Sequence, residues 1–246
     1  MRLRSALLAG ALLALSAVAA SAAAPLLLPG LGPDDRRVAV DGTAAPWRSL
    51  AKVQTGIGGR CTGALIGPRR VLTAAHCLFN PRTQRFLSAS SLHVLFGYER
   101  GEFIEHSLVT DVIHADTYDP QKPREGYAAD WAILELADDA PPQAPPLSVS
   151  QSVPPPGTAV VLGGYSQDKA QIITADTACM VLGTDRTTKG PVLIHDCNGT
   201  RGTSGSPLLA LRDGQWQVVG IAVAGSTDRL TLNFAVPATA FAAALR

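Results

Sequence analysis

The sequence predicts an all-β protein built from two packed six-stranded antiparallel β-barrels with a C-terminal helix. Three observations predict it: a dozen short β-type runs separated by turn residues, a proline-rich connector dividing them six and six, and one helix-compatible segment at the end. The 23 glycines and 18 prolines make up about one residue in six, against an average nearer one in eight. That surplus excludes a coiled coil and punctuates short strands instead. A chain that is 46% hydrophobic with a net charge of +1 is too apolar and too neutral to be disordered. It also carries no basic footprint for nucleic acid. No repeat of 20–50 residues argues for a propeller or solenoid.

The elements follow in chain order. Arg2 and Arg4 precede an uncharged apolar run at residues 6–20, and Ala20-Ser21-Ala22 fits a small-residue cleavage site. This pattern predicts a secretory signal peptide over 1–22, hence a secreted (extracellular or periplasmic) protein without a membrane partner once the signal is cut. The apolar run is shorter than a membrane span requires. Residues 23–37 are rich in Pro and Gly, end in Arg36-Arg37, and read as a pro-segment or unstructured lead-in. Residues 38–140 form the expected first barrel, with strands near 50–54, 61–67, 70–74, 92–97, 106–114 and 130–137. Residues 141–156 hold seven prolines in sixteen positions; proline removes the ladder donor, so this stretch is an extended linker. Residues 157–246 form the second barrel, with strands near 158–165, 179–184, 191–196, 206–212, 216–224 and 231–236. Asp213-Gly214 supplies a hairpin turn between two of them. Residues 238–245, after Pro237, are the expected helix.

In an oxidising compartment Cys61, Cys77, Cys179 and Cys197 read as two disulfides. Four cysteines allow three pairings; proximity in sequence favours Cys61–Cys77 and Cys179–Cys197. Without a C-x-x-C pair, zinc is not expected.

The sharpest chemical feature is Gly202-Thr203-Ser204-Gly205-Ser206-Pro207. Flanking glycines let the backbone turn tightly around a serine, and a serine nucleophile needs a base. None of the five histidines (His76, His93, His106, His114, His195) follows Ser204, which excludes the α/β-hydrolase order. His76 is delivered by the apolar strand Val71-Leu72-Thr73 to a short turn beside Cys77. Asp130 leads into Trp131-Ala132-Ile133-Leu134, a setting apolar enough that its charge needs a partner.

These segments resemble the chymotrypsin-fold (trypsin-like) serine proteases. Thr73-Ala74-Ala75-His76-Cys77, Asp130-Trp131-Ala132-Ile133-Leu134 and Gly202-Thr203-Ser204-Gly205 match that family's three motifs in order, with Cys61 and Cys77 flanking the histidine as the family's disulfide does. The resemblance covers roughly residues 38–246 and is nearest the bacterial branch that includes the glutamyl endopeptidases. It implies a serine endopeptidase acting on peptide or protein substrates, with Ser204 as nucleophile, His76 as base, Asp130 orienting His76, and the Gly202 and Ser204 amides as oxyanion hole. It implies no metal or organic cofactor. Nothing in the residues sets an oligomeric state, and a monomer is the default.

The match departs from the family in two places. Thr203 stands where the animal digestive enzymes carry the aspartate that pairs with a newly cut N-terminus. Arg37-Val38 still resembles a zymogen processing point, but that ion pair cannot form through Thr203. The primary pocket is expected to have its floor near Asn198 and its wall at Val223, Ala224 and Gly225. Asn198 offers no charge for a Lys or Arg substrate side chain. Ala222 follows Gly220-Ile221 where glutamyl endopeptidases carry histidine, which leaves His195 and Arg201 as sources of positive charge. The rival reading is a catalytically silent homologue acting as a secreted binding module.

Overall fold

The computed structural model describes residues 28–227 and 232–245. The expected signal peptide at 1–22 and residues 23–27 of the lead-in lie outside the described residues.

Twelve strands carry the architecture, each on one of the expected runs. The first six are β1 (Leu50–Thr55), β2 (Arg60–Gly67), β3 (Arg70–Thr73), β4 (Leu92–Phe96), β5 (Glu105–His114) and β6 (Ala132–Leu136). They close antiparallel in the ring order β1-β2-β3-β6-β5-β4. The second six are β7 (Ala159–Gly164), β8 (Thr174–Thr187), β9 (Gly190–His195), β10 (Pro207–Arg212), β11 (Gln215–Ala224) and β12 (Asn233–Pro237). They close in the equivalent order β7-β8-β9-β12-β11-β10. The two halves thus share one topology without a visible sequence repeat. Closure removes the unpaired edges that a short, apolar strand would otherwise expose.

Strand β8 is longer than the expected 179–184. It runs from Thr174 and shifts register against both neighbours, between Val160 and Leu162 and between Val181 and Gly183. Such bulges bend a strand around a barrel corner. The β10–β11 hairpin turns at Asp213 (φ 50) and Gly214 (φ 74), the paired left-handed residues of a two-residue turn. Both disulfides form as proximity favoured, Cys61–Cys77 and Cys179–Cys197.

Burial follows this layout. Val53, Leu65, Leu92, Phe96 and Leu134 fill the first barrel; Val160, Leu162, Val181, Leu193 and Val219 fill the second. Between them, Leu50, Leu72, Ile133, Trp131, Val161, Leu209, Ile221 and Phe241 form a third cluster. The candidate site residues lie along this seam, where each barrel can place side chains opposite the other. The proline-rich connector is extended but tightly attached: Leu147 donates its N–H to Leu65 O at 2.8 Å, and Ser148–Val149 pair parallel with β11.

The C-terminal helical segment takes the form of two 3₁₀ turns, Ala238–Ala240 and Ala242–Leu245. Eight residues are too few to hold an α-helix by propensity, and the fully buried Phe241 anchors the break between the turns. Among the described residues, no helix is long and apolar enough to cross a membrane.

The described part of the lead-in, residues 28–37, is a packed strap rather than an unstructured segment. Gly30 donates to Ser226 O at 2.8 Å and accepts from Gly199 N at 3.1 Å, and Gly32 N donates to Asn198 Oδ1 at 2.8 Å. Arg36 pairs with the fully buried Asp176 at 3.0 Å.

Candidate active site

His76 sits on the 3₁₀ turn Ala75–Leu78, directly after β3. The Cys61–Cys77 disulfide ties that turn to β2. Asp130 ends the 3₁₀ turn Tyr127–Ala129 just before β6, and β3 and β6 are paired neighbours, so the seam brings the two residues together. The carboxylate uses both oxygens on one partner: Oδ1 accepts the His76 main-chain N–H at 2.8 Å, and Oδ2 meets Nδ1 at 2.7 Å. An ionised carboxylate is an acceptor only, so the proton lies on Nδ1 and Nε2 is left as the basic nitrogen. Asp130 is only 3% exposed, and these two bonds compensate its burial. Burial opposes a charge on the His76 ring, but the adjacent Asp130 carboxylate more than offsets it and holds the pKa above the usual histidine value.

Ser204 comes from the second barrel and is held against this turn. Its carbonyl accepts from Thr62 N at 3.0 Å and lies 3.9 Å from Cys77 Sγ. Among the described residues, Ser204 Oγ makes no hydrogen bond to the imidazole. Catalytic hydrogen bonds are often long without substrate and tighten only when it binds. Gly202 (φ +89) and Gly205 (φ +80) frame the serine. A side chain on Gly202 would strike the Tyr165 carbonyl, and one on Gly205 would strike Thr73 and the Thr62 carbonyl. Both positions therefore require glycine.

The amides of this loop divide into two sets. Thr203, Gly205 and Ser206 donate to Thr200, Ala222 and Thr203 carbonyls at 2.8–2.9 Å. Among the described residues, the Gly202 and Ser204 amides have no acceptor. The Thr203 carbonyl is drawn to Ser206 N, and a trans peptide points its N–H opposite its C=O, so the Ser204 N–H is aimed away from that turn.

Beside Ser204 opens a cavity of about 330 Å³ lined by Gly199, Thr200, Arg201, His195 and the wall Ala222 to Gly225. Val223, Ala224 and Gly225 line one side of this cavity. Asn198 does not form the floor. It lies behind the cavity at 1% exposure, with Oδ1 on Gly32 N and Nδ2 on the Asp34 carbonyl and Asp176. The polar floor is instead Thr200 and His195, 4% and 1% exposed. Thr200 Oγ1 is buried without a partner among the described residues, whereas the His195 ring has the Phe234 main-chain carbonyl beside it. His195 Nδ1 accepts from Cys197 N at 3.2 Å, which leaves the proton on Nε2. Burial pushes its pKa down to about 4, against the opposing pull of Asp176. His195 is therefore a neutral donor near pH 7 and not the positive charge that its sequence position offered. Among the described residues, no carboxylate lines the cavity.

A family profile described as "Trypsin-like peptidase domain" matches residues 61–221, the stretch that contains His76, Asp130 and Ser204. The chain belongs to the trypsin-like peptidase family. Two curated relatives share parts of it. The glutamyl endopeptidase of Bacillus licheniformis is 36% identical over 62 residues, 25% of this chain and 19% of that protein. Serine protease 56 of Mus musculus is 27% identical over 164 residues, 58% of this chain and 26% of that protein. The matches span only about a fifth to a quarter of the relatives' own length. A solved structure of a Glu endopeptidase superposes with a TM-score of 0.72 at 24% identity, covering 85% of this chain and 93% of that one. This likeness supports the two-barrel fold.

Sequence reasoning missed the residue that joins the halves of this trypsin-like peptidase. Thr62, fully buried on β2, donates Oγ1 to the Gly202 carbonyl at 2.8 Å and accepts from Tyr165 N at 3.0 Å. Its own carbonyl accepts from Thr73 Oγ1 at 2.9 Å. Its only local signal was its place beside Cys61. Thr200 was missed as well, because an irregular loop has no periodicity from which to read a facing.

Proposed function

We propose that this chain is a secreted serine endopeptidase that hydrolyses peptide bonds through an acyl-enzyme intermediate. The observation that carries the reading is the engagement of both Asp130 oxygens by His76, which leaves Nε2 basic beside a glycine-framed serine. Ser204 Oγ attacks the substrate carbonyl carbon while its proton passes to His76 Nε2. The carbonyl oxygen becomes an oxyanion, which the Gly202 and Ser204 amides stabilise; one such donor is worth about 10²–10³ in rate. The C–N bond then breaks, and the leaving amine takes the proton from Nε2. Water, deprotonated by His76, attacks the ester, and Ser204 recovers its proton as the acid product leaves. Asp130 holds the tautomer and stabilises the imidazolium.

The cavity favours a substrate side chain with acceptor oxygens. Thr200 Oγ–H is the lining donor left without a partner, and it stays unsatisfied when an apolar group fills the space. A buried unsatisfied polar group costs about 1–3 kcal/mol. Peptides with Glu or Gln before the cut bond are therefore expected to exceed the Leu peptide about 10–100-fold in kcat/KM. Thr200→Val should reduce that preference; an unchanged ratio would remove Thr200 from the recognition site. Comparing Glu with Gln separates charge from hydrogen bonding.

The reading is tested by incubation with a biotinylated fluorophosphonate followed by peptide mapping. One adduct, on Ser204, is expected, and none on the Ser204→Ala protein. A folded wild-type chain that takes no label would favour the catalytically silent homologue instead.

A further inference from the structure

The lattice beneath the nucleophile loop contains a cation that the chemistry above does not use. The Arg37 side chain is 1% exposed. It lies between two carboxylates, with Nε and Nη2 on Asp35 at 2.8 Å each, and Nη1 and Nη2 on Asp168 at 3.0 and 2.8 Å. Burial opposes its charge, but the hydrogen bonds to Asp35 and Asp168 more than offset this and keep the guanidinium ionised. A buried guanidinium with two bidentate carboxylate partners fixes their positions, because each fork-to-fork pairing is geometrically specific.

Asp168 belongs to the 3₁₀ turn Gln167–Lys169. The preceding residue, Gln167, donates its main-chain N–H to the Arg201 carbonyl at 2.6 Å. In a trans peptide, C=O and N–H point in opposite directions. Holding the Arg201 carbonyl toward the turn therefore aims the Gly202 N–H away from it, as an oxyanion donor requires. A flip of the Arg201–Gly202 peptide would break the Gln167 bond and withdraw that donor. Lys52 secures the other end of the same loop. It is 2% exposed, donates Nζ to Ala170 O at 2.9 Å, and lies 3.5 Å from the Tyr98 ring centroid.

We propose that Arg37 is a positioning residue that acts through Asp168 and Gln167 to fix the Arg201–Gly202 peptide, so that residues 28–37 are a retained strap of the working enzyme and not a removable pro-segment. Two further observations agree. The Arg37–Val38 bond is a poor processing point, with a buried Arg37 side chain and Val38–Ala39 paired to β8. Upstream, Gly30 and Gly32 close hydrogen bonds to Gly199 and Asn198 behind the cavity. The inference rests on the assignment of Ser204 and Gly202 to acyl transfer.

The test is kinetic and local. Asp168→Asn and Arg37→Gln in the full chain are expected to lower kcat about 10–100-fold, within the effect of losing one oxyanion donor, with KM changed less than threefold. Arg37→Lys should recover part of the loss. The Arg37→Gln/Asp168→Asn double variant should be no worse than Arg37→Gln alone, since the two act as one unit. Amide exchange gives a readout independent of activity: Gln167 N–H should exchange at least tenfold faster in Asp168→Asn while β1 and β4 amides keep their protection. Intact mass of the active secreted protein should retain residues 28–37. Unchanged kcat and Gln167 protection in Asp168→Asn, or full activity in a chain starting at Val38, would overturn the proposal. A wild type that fails to take the phosphonate would sink the acyl-transfer assignment instead, and Gln167 exchange would still decide whether the clamp exists.

Discussion

Ser204→Ala and His76→Ala are each expected to lower kcat about 10⁶-fold, and the double variant no further than either alone. On the proposed mechanism, alanine at 204 removes the atom that forms the acyl bond, while alanine at 76 removes the base that takes its proton. Neither group works without the other, so their effects do not add. Stability should be nearly untouched in Ser204→Ala, because Ser204 is attached through its carbonyl to Thr62 and not through its hydroxyl. Burst kinetics with an activated ester, together with thermal melts, check both expectations. Losses that multiply in the double variant would mean that Ser204 and His76 act independently.

Asp130→Asn has the next largest effect, about 10⁴-fold in kcat near neutral pH. The carboxylate now accepts two N–H groups of His76, at 2.8 and 2.7 Å. An amide of the same shape has only one accepting oxygen, so its NH₂ must face one of these donors. If the main-chain N–H keeps the oxygen, Nδ1 becomes an acceptor and the proton moves to Nε2, where it blocks attack by Ser204. The pH profile carries a second signature. The base must be neutral, so activity appears as pH rises through the His76 pKa, which Asp130 holds above the usual 6.5. In Asp130→Asn only burial remains, and the acidic limb of kcat/KM should move to lower pH. The same pairing stabilises the fold below pH 6.5, and this contribution is lost as pH rises through the raised native pKa. A profile whose acidic limb stays in place would show that another group sets it.

Much of the candidate site was legible because its parts are locally encoded. The His76 turn follows directly from an apolar strand and is closed by a cysteine sixteen residues from its partner. The Ser204 loop announces itself by two glycines whose positive φ no other residue tolerates there. The pocket floor was misassigned to Asn198 because residues 198–200 lie in irregular backbone, where neighbouring side chains face unrelated directions. Asn198 turns inward to Asp176 and Gly32, and Thr200 faces the cavity. Arg36-Arg37 misled for a similar reason. A dibasic pair before a hydrophobic residue looks the same whether exposed or buried, and Asp168 stands 131 residues away.

By itself, the sequence determined the strands and their two sets of six, the hairpin turn at Asp213-Gly214, the favoured disulfides and the three residues offered for acyl transfer. These are features of short range: alternating burial, turn residues, and cysteines or glycines close in sequence. Only the tertiary structure decided that Thr62 joins the barrels, that Thr200 and a neutral His195 floor the pocket, and that the lead-in is a strap clamped through Arg37. Each depends on groups distant in the chain meeting in a buried place, where desolvation makes an unpaired polar group costly and so selects its partners. No local pattern encodes which partners those are.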